Sequence, residues 1–305
     1  MKKSQDNPPL KVQNLSKFYG SLQAVNQVTF EVQPGEVFGL LGPNGAGKTS
    51  IISTIVTLEE PTQGKIEIFG HDVQKDPLTA KSYVGWVPQE VINHGFFNIC
   101  EIIKFHSGYF GKSLSEEETN QLLKRLDLYN HRHKKVKQLS GGMKRRLMIA
   151  KALCHNPKIL LLDEPTAGVD IDLRKSLWDF VKELRSQGVA ILLTTHYLEE
   201  AENLCDRVGF LSHGRILRIG QTSEIVTDLT EKTIELILDR ELPELKNSWV
   251  QSQKGNEIHL KVPMTKGVFE GVRLAGIDLS HIKDIRVKDG DLEDAFRRVM
   301  KEGQQ

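Results

Sequence analysis

Hydrophobic positions along the first 220 residues alternate between two textures. Leu10 to Leu15 and Val28 to Val32 are strand-like runs separated by the turn Tyr19-Gly20-Ser21, which predicts an antiparallel β layer. Three further runs are apolar, the first after its leading acid: Glu36 to Leu41, Ile159 to Leu162 and Ala190 to Leu193. Continuous apolar strands, with a helical pattern over Leu173 to Gln187 ended by Gly188, predict a parallel sheet covered on both faces. Gly64 to Gly70 and Tyr83 to Val87 read as additional short strands, the second stopped by Pro88. From about residue 90 to 140 the pattern turns amphipathic and rich in Lys and Glu. Ile99, Ile102, Ile103 and His106 fall at helical spacing, and Ser115 with Glu116 to Glu118 resembles a capped helix start, so this stretch predicts a helical insert. Beyond Gly220, strands at Thr233 to Leu238, Glu257 to Val262 and Ile282 to Lys288 mix with helices at Lys266 to Ala275 and Leu292 to Lys301. The expected organisation is an α/β domain over 1–225 and a small α+β domain over 226–305.

Composition changes this picture little. The 305 residues are 39% hydrophobic and 27% charged, with a formal net charge of +1, which gives no bulk attraction toward nucleic acid. The N-terminal stretch lacks an apolar leader, and no window approaches the ~20 apolar residues of a membrane span. Cys100, Cys154 and Cys205 are widely spaced and odd in number, a pattern of idle thiols.

The candidate chemistry begins at Gly42-Pro43-Asn44-Gly45-Ala46-Gly47-Lys48-Thr49, between an apolar strand and a helix that opens at about Ser50. This is the P-loop spacing. Glycines let the backbone wrap a polyphosphate, successive N–H groups point inward, and the helix start adds its positive end. Lys48 suits the β- and γ-phosphates and the Thr49 hydroxyl suits Mg²⁺. Strand ends in a parallel sheet carry ligands, so Asp163, Glu164 and His196 are expected to converge on the P-loop. Asp163 is a suitable holder of Mg²⁺ through water, and Glu164 a suitable base for the attacking water. Tyr19 could stack on a base or simply pack in its loop; spacing alone does not separate the two.

Taken with Leu139-Ser140-Gly141-Gly142-Met143, Ile159 to Glu164, Gln89, Ala167-Gly168-Val169-Asp170 and His196, in that setting, the chain resembles the ATP-binding subunit of an ABC transporter over about residues 10 to 220. The resemblance implies a P-loop NTPase cassette with a mixed sheet core, an antiparallel β layer and a helical insert. It implies ATP and Mg²⁺ as ligands, Tyr19 on the adenine, Gln89 sensing Mg²⁺ or water, Asp170 near the nucleotide, and His196 on the γ-phosphate. It also implies a head-to-tail pair in which Ser140, Gly141 and Gly142 of one copy close over the ATP of the other. The stretches Glu164 to Asp170 and Thr194 to Glu202, with the tail Gly290 to Phe296, are similar to the exporter branch whose permease is a separate chain. That places the protein at the inner face of the cell membrane, with Phe96 to Tyr109 receiving the permease. The competing expectation is a soluble ABC ATPase acting on ribosomes or DNA.

Overall fold

The computed structural model describes residues 7–90, 95–167 and 171–303, which fall into two compact units meeting at Ile219 and Gly220. In chain order the first unit opens with β1 (Leu10–Tyr19), β2 (Leu22–Val32), β3 (Val37–Leu41), α1 (Lys48–Ile55), β4 (Gln63–Ile68), β5 (His71–Asp72), α2 (Pro77–Ser82) and β6 (Val84–Val87). It continues with α3 (Ile99–Tyr109), α4 (Glu116–Arg125), α5 (Gly141–Leu153), β7 (Ile159–Asp163), α6 (Ile171–Ser186), β8 (Ala190–Thr195), α7 (Leu198–Leu204), β9 (Arg207–Ser212) and β10 (Arg215–Gln221).

Two sheets form this unit. One is four-stranded with order β2-β1-β4-β5, and its registered pairs are antiparallel. The other is six-stranded with order β10-β9-β3-β8-β7-β6, and the contacts from β9 through β3, β8 and β7 to β6 are parallel. Every residue of β3, β7 and β8 is buried, which is why these segments read as unbroken apolar runs. The sheets share a core. Leu10, Val12, Val28 and Phe30 meet Phe38, Leu40, Ile51, Ile52, Leu161 and Leu192 in it, with the rings of Phe30 and Phe38 stacked at 5.1 Å. Strands β9 and β10, turned at His213-Gly214, were not anticipated from the hydrophobic pattern; β10 is only half-buried and short of apolar signal.

Register decides what lies side by side. Leu41 pairs with Thr195, and Asp163 pairs with Thr194, so β3, β7 and β8 end level at their carboxyl edge. β8 sits between the other two. The P-loop, Glu164 and His196 therefore leave the sheet together.

The helical insert carries α3 and α4. Each begins with a reciprocal capping box, Asn98 with Glu101 and Ser115 with Glu118, which satisfies two otherwise orphaned backbone donors per helix. α3 buries Ile99, Ile102 and Ile103 and leaves Phe105 and Tyr109 outward.

The second unit contains α8 (Thr222–Leu229), β11 (Glu231–Leu238), β12 (Val250–Lys254), β13 (Glu257–Pro263), α9 (Val268–Leu274), β14 (Ile282–Lys288) and α10 (Leu292–Glu302). Its strands form one sheet of order β12-β13-β11-β14, antiparallel throughout. Ile234, Leu236 and Leu238 alternate with less buried neighbours and pack with Ile258, Leu260, Val262 and Val272, while α8 lies against α10. β12 was not expected, since Val250-Gln-Ser-Gln-Lys254 carries a single strong strand former.

Candidate active site

The loop from Gly42 to Gly47 is shaped by what surrounds it. A side chain at Gly42 would place its Cβ 2.4 Å from the Leu211 carbonyl oxygen, and one at Gly47 would sit 2.5 Å from that of Ala24. Gly47 also holds φ 107°, a region that side chains rarely adopt. These contacts force the loop down onto β2 and β9. Pro43, Asn44 and Gly45 lie exposed at its tip, Ala46 is buried beneath it, and Ser50 is half-buried in the first turn of α1. The first intrahelical bond runs from Ile51 N–H to Gly47 O, so the N–H groups of Lys48, Thr49 and Ser50 face out of the helix start. That is an anion-binding geometry.

Lys48 is 4% exposed and spends its ammonium on three acceptors. It donates to Gly42 O at 2.7 Å and Pro43 O at 3.2 Å, and pairs with Glu164 Oε1 at 3.2 Å. Glu164 is the hub. Its Oε2 accepts from Gln89 Nε2 and faces His196 Nδ1, each at 3.2 Å. Its backbone takes φ 45°, a left-handed turn that costs a non-glycine residue roughly 1–3 kcal/mol, and its N–H is anchored to Thr194 O at 3.0 Å. The turn swings the carboxylate out of the strand direction and across to the P-loop. Asp163, one residue earlier, stays within the strand, 2% exposed, with Oδ1 accepting from Thr194 Oγ1 at 2.5 Å. Burial pushes its carboxyl above the usual range, the Thr194 hydrogen bond acts against that, and the charge of Glu164 adds to it.

Lys48, Gln89, Glu164 and His196 thus meet as the sequence led one to expect, with Asp163 held beside them. Tyr19 ends β1, is 41% exposed, and has Lys17 Nζ 5.0 Å from its ring centroid. Ser140 and Gly141 lie exposed at the start of α5, where the Ser140 hydroxyl caps the helix by accepting from Met143 N–H at 3.2 Å. Among the described residues no hydrogen bond or ion pair joins Ser140, Gly141 or Gly142 to the P-loop. Asp170 lies outside the described residues. The oxygen donors suited to Mg²⁺ are all at this edge: the exposed Thr49 hydroxyl, the Gln89 amide and the Asp163 carboxylate. A hard cation that retains water and completes its shell with phosphate oxygens needs no more protein ligands than these.

Arg145 is a functional residue that sequence reasoning passed over. It is 4% exposed and donates to five carbonyls on two segments, Pro88 to Gln89 and Asp163 to Pro165. Nε reaches Pro165 O (2.9 Å), one terminal nitrogen reaches Pro88 O (2.7 Å) and Gln89 O (3.0 Å), and the other reaches Glu164 O (3.0 Å) and Asp163 O (3.4 Å). The start of α5 is thereby fastened to the segment bearing Gln89 and to the end of β7. A signal was present: residues 145, 148, 149 and 152 share a helix face, and Met148, Ile149 and Ala152 are apolar, so Arg145 is a charge on a buried stripe.

A phosphate-binding P-loop on a parallel sheet, facing a carboxylate gathered by a lysine, a glutamine and a histidine, defines a P-loop nucleoside triphosphatase. The ABC transporter family model matches residues 25–167. The Nod factor export ATP-binding protein I of Rhizobium etli is 40% identical over 218 residues, covering 71% of this chain and 69% of that protein. The linearmycin resistance ATP-binding protein LnrL of Bacillus subtilis is 33% identical over 286 residues, covering 93% and 84%. Among solved structures, an ATP-binding subunit of an ABC transporter superposes with TM-score 0.66 at 32% identity over 71% of this chain and 91% of that one. The dimeric post-hydrolysis state of the cassette MJ0796 bound to ADP and Pi gives TM-score 0.64 at 25% identity, covering 70% and 98%. The chain belongs to the ABC transporter family, as an ATP-binding subunit that hydrolyses ATP.

Removing the Lys48 ammonium deletes the point charge that phosphate oxygens would meet in the loop. Lys48→Ala is expected to weaken ATP binding by about tenfold or more, given that a charge-assisted hydrogen bond contributes roughly 1.5–3 kcal/mol. Titration with a fluorescent ATP analogue checks it, and unchanged affinity would remove Lys48 from the site.

Proposed function

We propose that this chain is the ATPase of an export system and drives a separately encoded membrane permease through ATP-dependent pairing of two copies. The observation that carries the hydrolytic half is the Glu164 carboxylate, aimed across the sheet edge with three partners within 3.2 Å. In this reading the Gly42 to Ser50 loop and α1 start hold the triphosphate and Tyr19 stacks on the adenine. Glu164 orients and deprotonates the attacking water, and His196 keeps that carboxylate and the γ-phosphate in register. Thr49, Gln89 and Asp163 would hold Mg²⁺, Asp163 through water; the ion would neutralise charge on the β- and γ-phosphates. A phosphate oxygen reaching Lys48 exchanges for one of its present acceptors, which frees Glu164 for water.

Ser140 and Gly141 stand exposed and Gly142 half-buried at a capped helix start, an anion-binding terminus remote in bonding from the chain's own P-loop. Two copies arranged head to tail would lay each such terminus on the other's ATP, a closed two-fold arrangement. The export reading draws on the relatives named for export and resistance, and it outweighs a soluble role on ribosomes or DNA, toward which the net charge of +1 offers no pull. No described helix is long and apolar enough to cross a membrane. The export reading gives the channel to another chain and sets this one at the inner membrane face. The docking surface is the insert. Phe96 and Tyr109 are 83% and 85% exposed, Phe97 and Phe105 meet edge-on at 5.2 Å, and together with Ile102 and His106 the last three line a groove of about 660 Å³.

The experiment is co-expression with a polytopic permease of the exporter type. Co-purification from detergent and faster ATP turnover in the complex are expected, both lost in Phe105→Ser/Tyr109→Ser while ATP binding by the free subunit persists. Turnover indifferent to the permease and to these substitutions would overturn the assignment.

A further inference from the structure

Behind the site, on the far side of His196, lies a second cluster that the hydrolytic reading leaves unused. Glu200, in the first turn of α7, is 1% exposed. Around its carboxylate stand the hydroxyls of Thr195 and Thr166, the indole N–H of Trp178 and the guanidinium of Arg174. These donors come from three places: Thr195 ends β8, Thr166 follows Glu164 by two residues, and Arg174 and Trp178 belong to α6. They face the carboxylate without closing on it in hydrogen-bond geometry. Both Glu200 oxygens, Thr166 Oγ1, Trp178 Nε1 and Arg174 Nε are sealed from solvent and unpaired among the described residues. One buried acceptor among four donors, with five orphaned atoms in one place, is costly unless small shifts complete the set.

The cluster leads to the catalytic carboxylate by direct contact. The Arg174 guanidinium lies over the Tyr197 ring at 5.1 Å, Tyr197 packs against the His196 ring at 4.1 Å, and His196 Nδ1 faces Glu164 Oε2 at 3.2 Å. Tyr197 is further fixed by its N–H donating to Thr195 Oγ1 at 3.0 Å. Whatever seats α6 and Thr195 around Glu200 also sets the ring of His196.

We propose that Glu200 is a positioning residue for ATP hydrolysis: its buried carboxylate ties Thr166 and α6 to the strand end that carries His196, and holds the His196 ring against Glu164. The inference rests on the reading of His196 given above. Completing its hydrogen bonds draws the Thr166 segment and α6 toward the His196 loop, which couples two of the loops that border the γ-phosphate. The P-loop itself makes no bond to this cluster among the described residues, so ATP binding is separable from it.

Glu200→Gln is the test, because an amide swaps one acceptor for a donor that faces four donors while keeping volume. With full-length protein and Mg-ATP, kcat is expected to fall by about tenfold or more, while ATP affinity by fluorescent-analogue titration stays within about twofold. In His196→Ala, where the ring is gone, adding Glu200→Gln should lower the residual rate of radiolabelled phosphate release no further, as expected of residues acting as a unit. A purely structural role would instead give additive losses or equal losses in affinity, and either result sinks the proposal, as does an unchanged kcat. His196→Ala with undiminished kcat would refute the role of His196 itself; a low kcat there beside a wild-type Glu200→Gln refutes Glu200 alone. Should Glu200→Gln fail to fold, Trp178→Phe, which removes one donor, must show the same fall in kcat at constant affinity or the proposal fails.

Discussion

Glu164→Gln is expected to bind ATP at least as tightly as the native chain and to hydrolyse it about 10²–10⁴-fold more slowly, the contribution of a well-placed general base. The substitution keeps shape and removes charge. The negative carboxylate now pairs with Lys48 Nζ at 3.2 Å and lies beside the loop where a γ-phosphate would sit, so neutralising it relieves repulsion toward the nucleotide. The amide can still touch Gln89 and His196 but cannot take a proton from water. With hydrolysis stalled, the ATP-bound pair of subunits should accumulate, visible as a doubled mass on size exclusion only when ATP is present. Turnover within about threefold of native would show that another group activates the water, since a general base contributes far more than that. A mutant that remains monomeric with ATP would refute the sandwich.

Arg145→Met should carry the largest stability cost of any single surface-distant substitution in the site. Methionine preserves the apolar stem but abandons the carbonyls of Pro88, Gln89, Asp163, Glu164 and Pro165 in a buried setting. Each lost partner exposes part of a desolvation penalty of ~1–3 kcal/mol. Shared donors and local relaxation reduce the sum, so about 3–5 kcal/mol is expected, the range for breaking a buried charged interaction on one side. The urea midpoint should drop accordingly. Activity should fall as well, because Gln89 and Glu164 are both held by this guanidinium through their main chains. Arg145→Lys should rescue little, since one ammonium cannot span five carbonyls on two segments. A midpoint shifted by less than ~1 kcal/mol, the cost of an ordinary exposed change, would show that the carbonyls find other donors.

Much of this was legible beforehand for identifiable reasons. β3, β7 and β8 are buried on both faces, and such strands are apolar except at their carboxyl ends, so their runs announce themselves. The glycines of the P-loop are required by contacts of 2.4 and 2.5 Å, which leave no latitude for other residues and make the motif readable as letters. β10 and β12 were missed because half-buried and edge strands tolerate nearly any polar residue and leave little periodicity behind. Arg145 and Glu200 were missed because a charged residue on a helix reads as solvent-facing until its neighbours on the same face are weighed. Both sit on apolar stripes, Glu200 with Ala201 and Leu204.

By itself the sequence determined the local chemistry: a phosphate loop at Gly42 to Ser50, carboxylates at the end of one strand, a histidine at the end of another, and a capped helix at Ser140. Those features are encoded within short windows, through backbone conformation, hydrogen-bonding type and apolar period, and need no knowledge of the fold. The tertiary structure alone decided how they meet. β8 inserts between β3 and β7, the three strands end level, and a left-handed turn at Glu164 points its carboxylate sideways to Lys48. Strand order and register are long-range pairings, set by how whole apolar faces pack, and no window of the chain contains them.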